Sequence, residues 1–238
     1  MNMFINNEFW MHVTKKRRAV MKCLIINPNS DFATEQLLRR TASAFCREEF
    51  QADVVSMRSA PPLVVTYTDQ AASVPELIEL FQQRGEEYDG FVLACHADPN
   101  LELVQELAAG KPVYGIAQAS MKVAAMRGNG FAVLTPSAAI IPKKFALARK
   151  YHCEEQLKTV QVSQSDRLED LLEAAQTALK VPGVDSIVLG CANYSGAGGR
   201  LEAQLGVPVI DGLLWALILL EGELRIRSLQ RKRCTADS

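Results

Sequence analysis

Short apolar runs of β character alternate with stretches of helical periodicity from residue 21 onward. The β-type runs fall at 23–27, 53–57, 91–95, 113–116, 131–135, 159–163, 187–191 and 207–211, four in each half. Helical patterns occupy 32–48, 75–86, 101–109, 117–126, 138–151, 166–180, 200–205 and 213–226. Within 166–180, Leu168, Leu171, Leu172, Ala175 and Leu179 recur at helical spacing and make one apolar face. Strand and helix in regular alternation predict an α/β fold with parallel sheets and crossover helices.

The two halves repeat one another. Tyr88-Asp89-Gly90-Phe91-Val92-Leu93-Ala94-Cys95 aligns with Val184-Asp185-Ser186-Ile187-Val188-Leu189-Gly190-Cys191 at an offset of 96. With no gap, Glu106 then falls on Glu202, Gly110 on Gly206, and Pro112-Val113 on Pro208-Val209. The first strands of the halves also end alike, Ile26-Asn27-Pro28-Asn29-Ser30 and Leu134-Thr135-Pro136-Ser137, in a polar, proline-containing turn suited to a helix N-cap. Two pseudo-symmetric lobes follow, each with a four-stranded parallel sheet and a cleft between them. The expected limits are 21–116 with 208–238 for the N-terminal lobe and 117–207 for the second, inserted lobe. The helix at 213–226 should return to the N-terminal lobe, because its apolar face needs cover and chain ends tend to lie close together.

Composition narrows the function classes. A chain of 238 residues with formal net charge −1 offers no general electrostatic attraction for nucleic acid or an anionic membrane. Its longest apolar run, 213–220, is too short to span a bilayer. Six cysteines in a chain of this length, without a secretory signal, do not read as a disulfide framework. Free thiols fit a reducing compartment, and the cytoplasm is expected. Residues 1–20, with the basic cluster Lys15-Lys16-Arg17-Arg18, read as a flexible extension ahead of the first strand. There is no GxGxxG, P-loop or HExxH pattern, so neither a nucleotide cofactor nor a dedicated metal site is indicated.

Chemistry concentrates at the strand ends. In open parallel sheets, ligands bind outside the carboxyl ends of strands, and Asn27, Cys95, Thr135 and Cys191 all stand there. Free cysteine is often a buried core residue. Cys95 and Cys191, however, each end an apolar run, precede polar turn residues and are equivalent under the repeat. A helix start beyond each should lower its thiol pKa from roughly 8.5. A zinc site from Cys95, His96, Cys191 and His152 is the first rival, disfavoured because adjacent residues seldom both face one ion. A redox pair is the second, and no CxxC is present.

Residues 24–30, Ala94-Cys95-His96-Ala97-Asp98-Pro99, Pro112-Val113-Tyr114-Gly115-Ile116-Ala117-Gln118-Ala119, Val188-Leu189-Gly190-Cys191-Ala192 and Pro208-Val209-Ile210-Asp211-Gly212 resemble the aspartate/glutamate/hydantoin racemase superfamily. The resemblance runs in order over about residues 21–226 and leans to the hydantoin and allantoin racemase branch. It implies two flavodoxin-like lobes, no cofactor and two catalytic cysteines, carried over onto Cys95 and Cys191, with the strand-end asparagine at Asn27. Departures lie in the pocket wall. His96, Ala97 and Asn100 stand in a stretch that resembles Cys-Phe-Gly-Asp-Pro-Gly in that branch. Gln118 replaces an acid, Asn193-Tyr194 follow the second cysteine, and Leu63-Val64-Val65 replace a Ser-Ile-Glu-like segment.

The implied chemistry is proton abstraction from one face of a carbon beside a carbonyl and proton return to the other. Backbone N–H groups after each cysteine would stabilise the enolate oxygen. The expected wall is Asn27, His96, Ala97, Thr135, Ala192 and Asn193, with Thr66 as an outlying candidate. With no basic clamp at the strand ends, a neutral hydantoin or allantoin-like ring suits the site better than a free amino acid. An amino-acid racemase, a diacid cis–trans isomerase and a non-catalytic binding descendant remain open. The expected partners are a small-molecule substrate and other copies of the chain in a homo-oligomer, without nucleic acid or membrane.

Overall fold

The computed structural model describes residues 20–236, so the 1–20 extension and its basic cluster lie almost wholly outside the described residues. The first sheet holds β1 (Met21–Asn27), β2 (Phe50–Ser56), β3 (Gly90–Leu93) and β4 (Val113–Gly115) in the order β2-β1-β3-β4. The second holds β5 (Phe131–Thr135), β6 (Leu157–Val162), β7 (Ser186–Leu189) and β8 (Val209–Ile210) in the order β6-β5-β7-β8. Every pairing is parallel, with Ile25 beside Val54 and Val92, and Val133 beside Val160 and Val188. The expected pair of four-stranded parallel sheets is present, and β3 and β7 coincide under the repeat.

The helices are α1 (Phe32–Phe45), α2 (Tyr67–Ala72), α3 (Val74–Arg84), α4 (Leu101–Leu107), α5 (Ile116–Arg127), α6 (Ile141–Lys150), α7 (Leu168–Leu179), α8 (Gly198–Leu205) and α9 (Gly212–Ala236). Helix α2 was not expected from periodicity, because none of its residues is buried. Local chemistry forms it instead: Thr66 accepts from the Asp69 N–H while the Asp69 carboxylate takes the Thr66 N–H, a reciprocal cap. Thr66 is therefore a capping residue on an exposed turn.

Strand alternation distributes the core. Successive side chains point to opposite faces of a strand, so Cys23, Ile25 and Val92 meet α1 and α9, while Leu24, Ile26, Phe91 and Leu93 face α3 and α4. In the second sheet Val133, Val188 and Ile210 face α5 and α6, and Ala132, Leu134, Ile187 and Leu189 face α7 and α8. Both faces of both sheets are covered, which explains strands that read as continuous apolar runs.

The lobes exchange their last helices. Helix α5 leaves β4 of the first sheet and places Ala117, Met121, Val123 and Ala124 in the core of the second. Helix α9 leaves β8 of the second sheet and places Leu213, Ala216, Leu217, Leu220 and Leu224 against the first. Trp215 and Leu219 contact the second lobe's core, and Leu219 touches both, so α9 serves two lobes rather than the N-terminal one alone. The two helices start side by side: a Cβ on Gly212 would stand 2.6 Å from the Ile116 carbonyl oxygen. Because β8 pairs with β7, the second lobe's sheet extends past the expected limit of 207 and the chain leaves it at Asp211. No helix among the described residues is long and apolar enough to cross a membrane.

Leu217 is fully buried in α9 where it meets the first sheet. Leu217→Ala should lower unfolding free energy by about 3 kcal/mol, the usual cost of a buried leucine truncation that leaves a cavity. Urea denaturation followed by circular dichroism measures it, and a loss below about 1 kcal/mol would contradict this packing.

Candidate active site

In each sheet the strand order reverses between the first strand and its neighbour, β1 and β3 in one lobe and β5 and β7 in the other. Crossovers leave in opposite directions at such a point and open a crevice at the carboxyl ends. Cys95 and Cys191 each lie two residues beyond β3 and β7 and line one shared cavity of about 170 Å³. The wall includes His96, Ala97, Ala192 and Asn193, so six of the eight expected site residues meet there.

Asn27 and Thr135 do not line that cavity; both are fully buried at their strand ends. The Asn27 side-chain amide donates to Asn29 Oδ1 at 2.8 Å and to Ser56 Oγ at 3.1 Å. Asn29 also accepts the Asp31 N–H at 3.0 Å, so Asn27 orients the turn and Asn29 is the residue that reaches the cavity. The Thr135 hydroxyl has no hydrogen-bond partner among the described residues. Thr34 Oγ1, on the first turn of α1, lies 2.5 Å from Asn193 Oδ1 and joins the lobes at the cavity wall. The loop Pro62-Leu63-Val64 adds an apolar side, and Lys143 of α6 donates to the Val65 carbonyl beside it.

Carboxylates tether both thiol-bearing loops to the helix starts. Asp98, with φ of 42°, turns back to accept the Ala117 N–H at 3.0 Å and the Gln118 N–H at 2.7 Å, capping α5. Tyr151 donates to the same carboxylate at 2.5 Å. Burial pushes Asp98 up to about 6 despite these donors. In the other lobe Asp211 accepts the Leu213 N–H at 3.0 Å at the start of α9 and the Gly196 N–H at 2.5 Å from the loop after Cys191.

The expectation of thiols acidified by helix starts is not met. Helix α4 begins six residues after Cys95, and only the three-residue 3₁₀ turn Ala192–Tyr194 follows Cys191 directly. Burial dominates and pushes Cys95 up to about 11, and it raises Cys191 as well. Two groups oppose it at each sulfur. One is the backbone N–H two residues on, from Ala97 and from Asn193; the other is the Lys144 ammonium. The N–H groups expected to face an enolate oxygen thus face the sulfurs.

Lys144 was missed by the sequence reading. It sits on the buried stripe of α6 with Leu147 and Ala148, where periodicity calls for an apolar residue, and that conflict was the available signal. Its Nζ donates to the His96 carbonyl at 2.6 Å, the Gly190 carbonyl at 2.8 Å and His96 Nδ1 at 3.1 Å. Three acceptors match the three hydrogens of an ammonium, although burial draws its pKa down to about 8. Ser120 donates its hydroxyl proton to the Ile116 carbonyl, so His96 Nε2, 3.1 Å from Ser120 Oγ, carries the imidazole proton. Burial and then the Lys144 charge push the His96 pKa well below its ordinary value. His96 is a neutral imidazole in one tautomer with both nitrogens engaged, which removes it from the zinc reading. His152 is exposed.

The fold and site are those of a two-lobed α/β enzyme whose equivalent loops bring two thiols to one small cavity. The model of the Asp/Glu/Hydantoin racemase family matches residues 23–218, and the chain belongs to this family; it is an isomerase of the racemase class. It is 31% identical over 205 residues to a hydantoin racemase of Pseudomonas sp. strain NS671, covering 82% of each chain. It is 30% identical to a hydantoin racemase of Rhizobium meliloti, over 84% of this chain and 87% of that one. Among solved structures, allantoin racemase from Klebsiella pneumoniae superposes with a TM-score of 0.81 at 26% identity, over 87% of this chain and 88% of that one.

A methyl group on Gly115 would stand 2.3 Å from the Asp98 carboxyl carbon. Gly115→Ala should therefore drive Asp98 from the start of α5 and destabilise the fold by on the order of 2 kcal/mol. Urea midpoints test this, and an unchanged midpoint would show that the Asp98 loop can move without cost.

Proposed function

We propose that the protein racemises a small cyclic substrate of the 5-substituted hydantoin or allantoin type, with Cys95 and Cys191 as the two acid–base groups and no cofactor. The observation that carries the proposal is the meeting of two thiols, equivalent under the internal repeat, at one cavity with a backbone N–H beside each. One thiolate takes the proton of the carbon next to the ring carbonyl, and the opposite thiol returns a proton to the other face. The negative charge passes from sulfur to the enolate and then to the second sulfur. Asn29, Thr34 and Asn193 present amide and hydroxyl groups suited to a neutral polar ring.

The buried ammonium comes from α6 and not from a strand end, and it supports the same substrate class. All three Lys144 donors are engaged by protein acceptors, so it offers charge without a free N–H for a carboxylate. A substrate that enters neutral and turns anionic during reaction suits that arrangement better than an amino acid. Relatives named as hydantoin and allantoin racemases support the choice.

Polarimetry on a panel of hydantoins, allantoin and amino acids tests the reading. Cys95→Ser and Cys191→Ser should each reduce racemisation by about 10³-fold, within the usual range for loss of a general acid or base. Each variant should still exchange the α-proton of one enantiomer in D₂O, observed by NMR, and the two should prefer opposite enantiomers. Racemisation at the wild-type rate in either variant, or one shared preference, would defeat the two-thiol mechanism.

A further inference from the structure

Lys144 is 2% exposed and lines the cavity between the thiol-bearing loops. A buried charge is stable only when paired or well hydrogen-bonded, and its acceptors are two carbonyls and a neutral imidazole. Those acceptors occupy particular places. His96 directly follows Cys95 in the first lobe, and Gly190 directly precedes Cys191 in the second. One ammonium is thus pinned at once to the backbone beside each sulfur, across the seam between lobes. The nearby carboxylates have other partners: Asp98 holds the start of α5 and Tyr151, and Asp31 holds the Thr34 N–H at the start of α1.

We propose that Lys144 is a positioning residue for racemisation, the shared counter-charge of the Cys95 and Cys191 thiolates and the clasp that sets the gap between their loops. The inference rests on the two-thiol reading above. During turnover the sulfur of one cysteine gains a proton as the substrate C–H bond breaks. The sulfur of the other loses its proton as the new C–H bond forms. The two sulfurs and the substrate therefore carry a single negative charge between them throughout, first on one sulfur, then on the enolate, then on the other sulfur. A cation held from both loops stabilises every one of these positions and lets the reaction run equally in both directions. The ionisable groups facing the sulfurs or lining their cavity are Asp31, Asp98 and neutral His96 from the first lobe, and Asp166, Tyr194 and Lys144 from the second. Lys144 is the cation among them.

The test is site-resolved alkylation by iodoacetamide across a pH series, read by peptide mass spectrometry, with half-buried Cys46 as the internal control. Lys144→Gln keeps amide donors for the two carbonyls and removes the charge. At neutral pH its Cys95 and Cys191 should both react at least about tenfold more slowly than in the wild type, since an adjacent opposite charge moves a pKa by one unit or more, while Cys46 is unchanged. A wild-type rate at either thiol in the folded variant overturns the proposal. Should Lys144→Gln fail to fold, Lys144→Met takes its place under the same criterion. In the unsubstituted protein burial holds both midpoints above that of free cysteine, roughly 8.5, and Lys144→Gln must raise both further; an unchanged midpoint at either thiol overturns the proposal. In racemisation assays Lys144→Gln should lower kcat about tenfold for both enantiomers with KM changed less than about twofold; loss in one direction alone counts against a shared charge. If the wild type turns over no hydantoin, the substrate reading fails, while alkylation still decides the role of Lys144.

Discussion

The exchange of α5 and α9 between lobes is the constraint on which the site depends. Each sheet ends in a strand whose following helix buries its apolar side against the other sheet, so neither lobe's core is complete without the partner's helix. The close approach of Gly212 to the Ile116 carbonyl lets the two helices begin side by side. A cavity between lobes joined by a flexible linker would have variable width. Here its width is set by packed apolar side chains, whose interlocking resists small displacements.

The thiol-bearing loops are fastened to that seam by buried polar groups. Asp98 runs from the loop after Cys95 to the first turn of α5, and Asp211 joins the start of α9 to the loop after Cys191. Lys144 then links the loops directly through the carbonyls of His96 and Gly190. Burial makes each carboxylate harder to ionise and each thiol less acidic. The same low polarity strengthens the attraction between a thiolate and the ammonium. Desolvation and compensation act at one place, as proton transfer to and from carbon requires.

His96 illustrates how such a network limits roles. Its position next to Cys95 gives it the look of a catalytic base, yet Ser120 and Lys144 occupy both ring nitrogens and hold it neutral. It presents an acceptor to the ammonium and closes the wall of the cavity. Asn27 is similar: from beneath the cavity it orients Asn29, which lines it.

Much of this was written in the sequence. Continuous apolar runs and period-3.6 patterning determine the two parallel sheets and all the helices except α2, whose exposed residues carry no periodic signal and whose cap is local. The gapless repeat determines that Cys95 and Cys191 are equivalent, since matching strands in matching sheets must place their ends alike. What tertiary structure alone decided was reach and charge. Pattern places a residue at a strand end without saying whether it faces a cavity or lies beneath one, which is why Asn27 and Thr135 were expected in the wall. Nor does it show that a lysine from a helix more than forty residues away in sequence fills the space between the two loops. That residue departs from its helix's apolar stripe, and only packed coordinates show the three acceptors that make its burial stable. Protonation followed the same division, because desolvation depends on everything that surrounds a group and almost nothing of that is local in the chain.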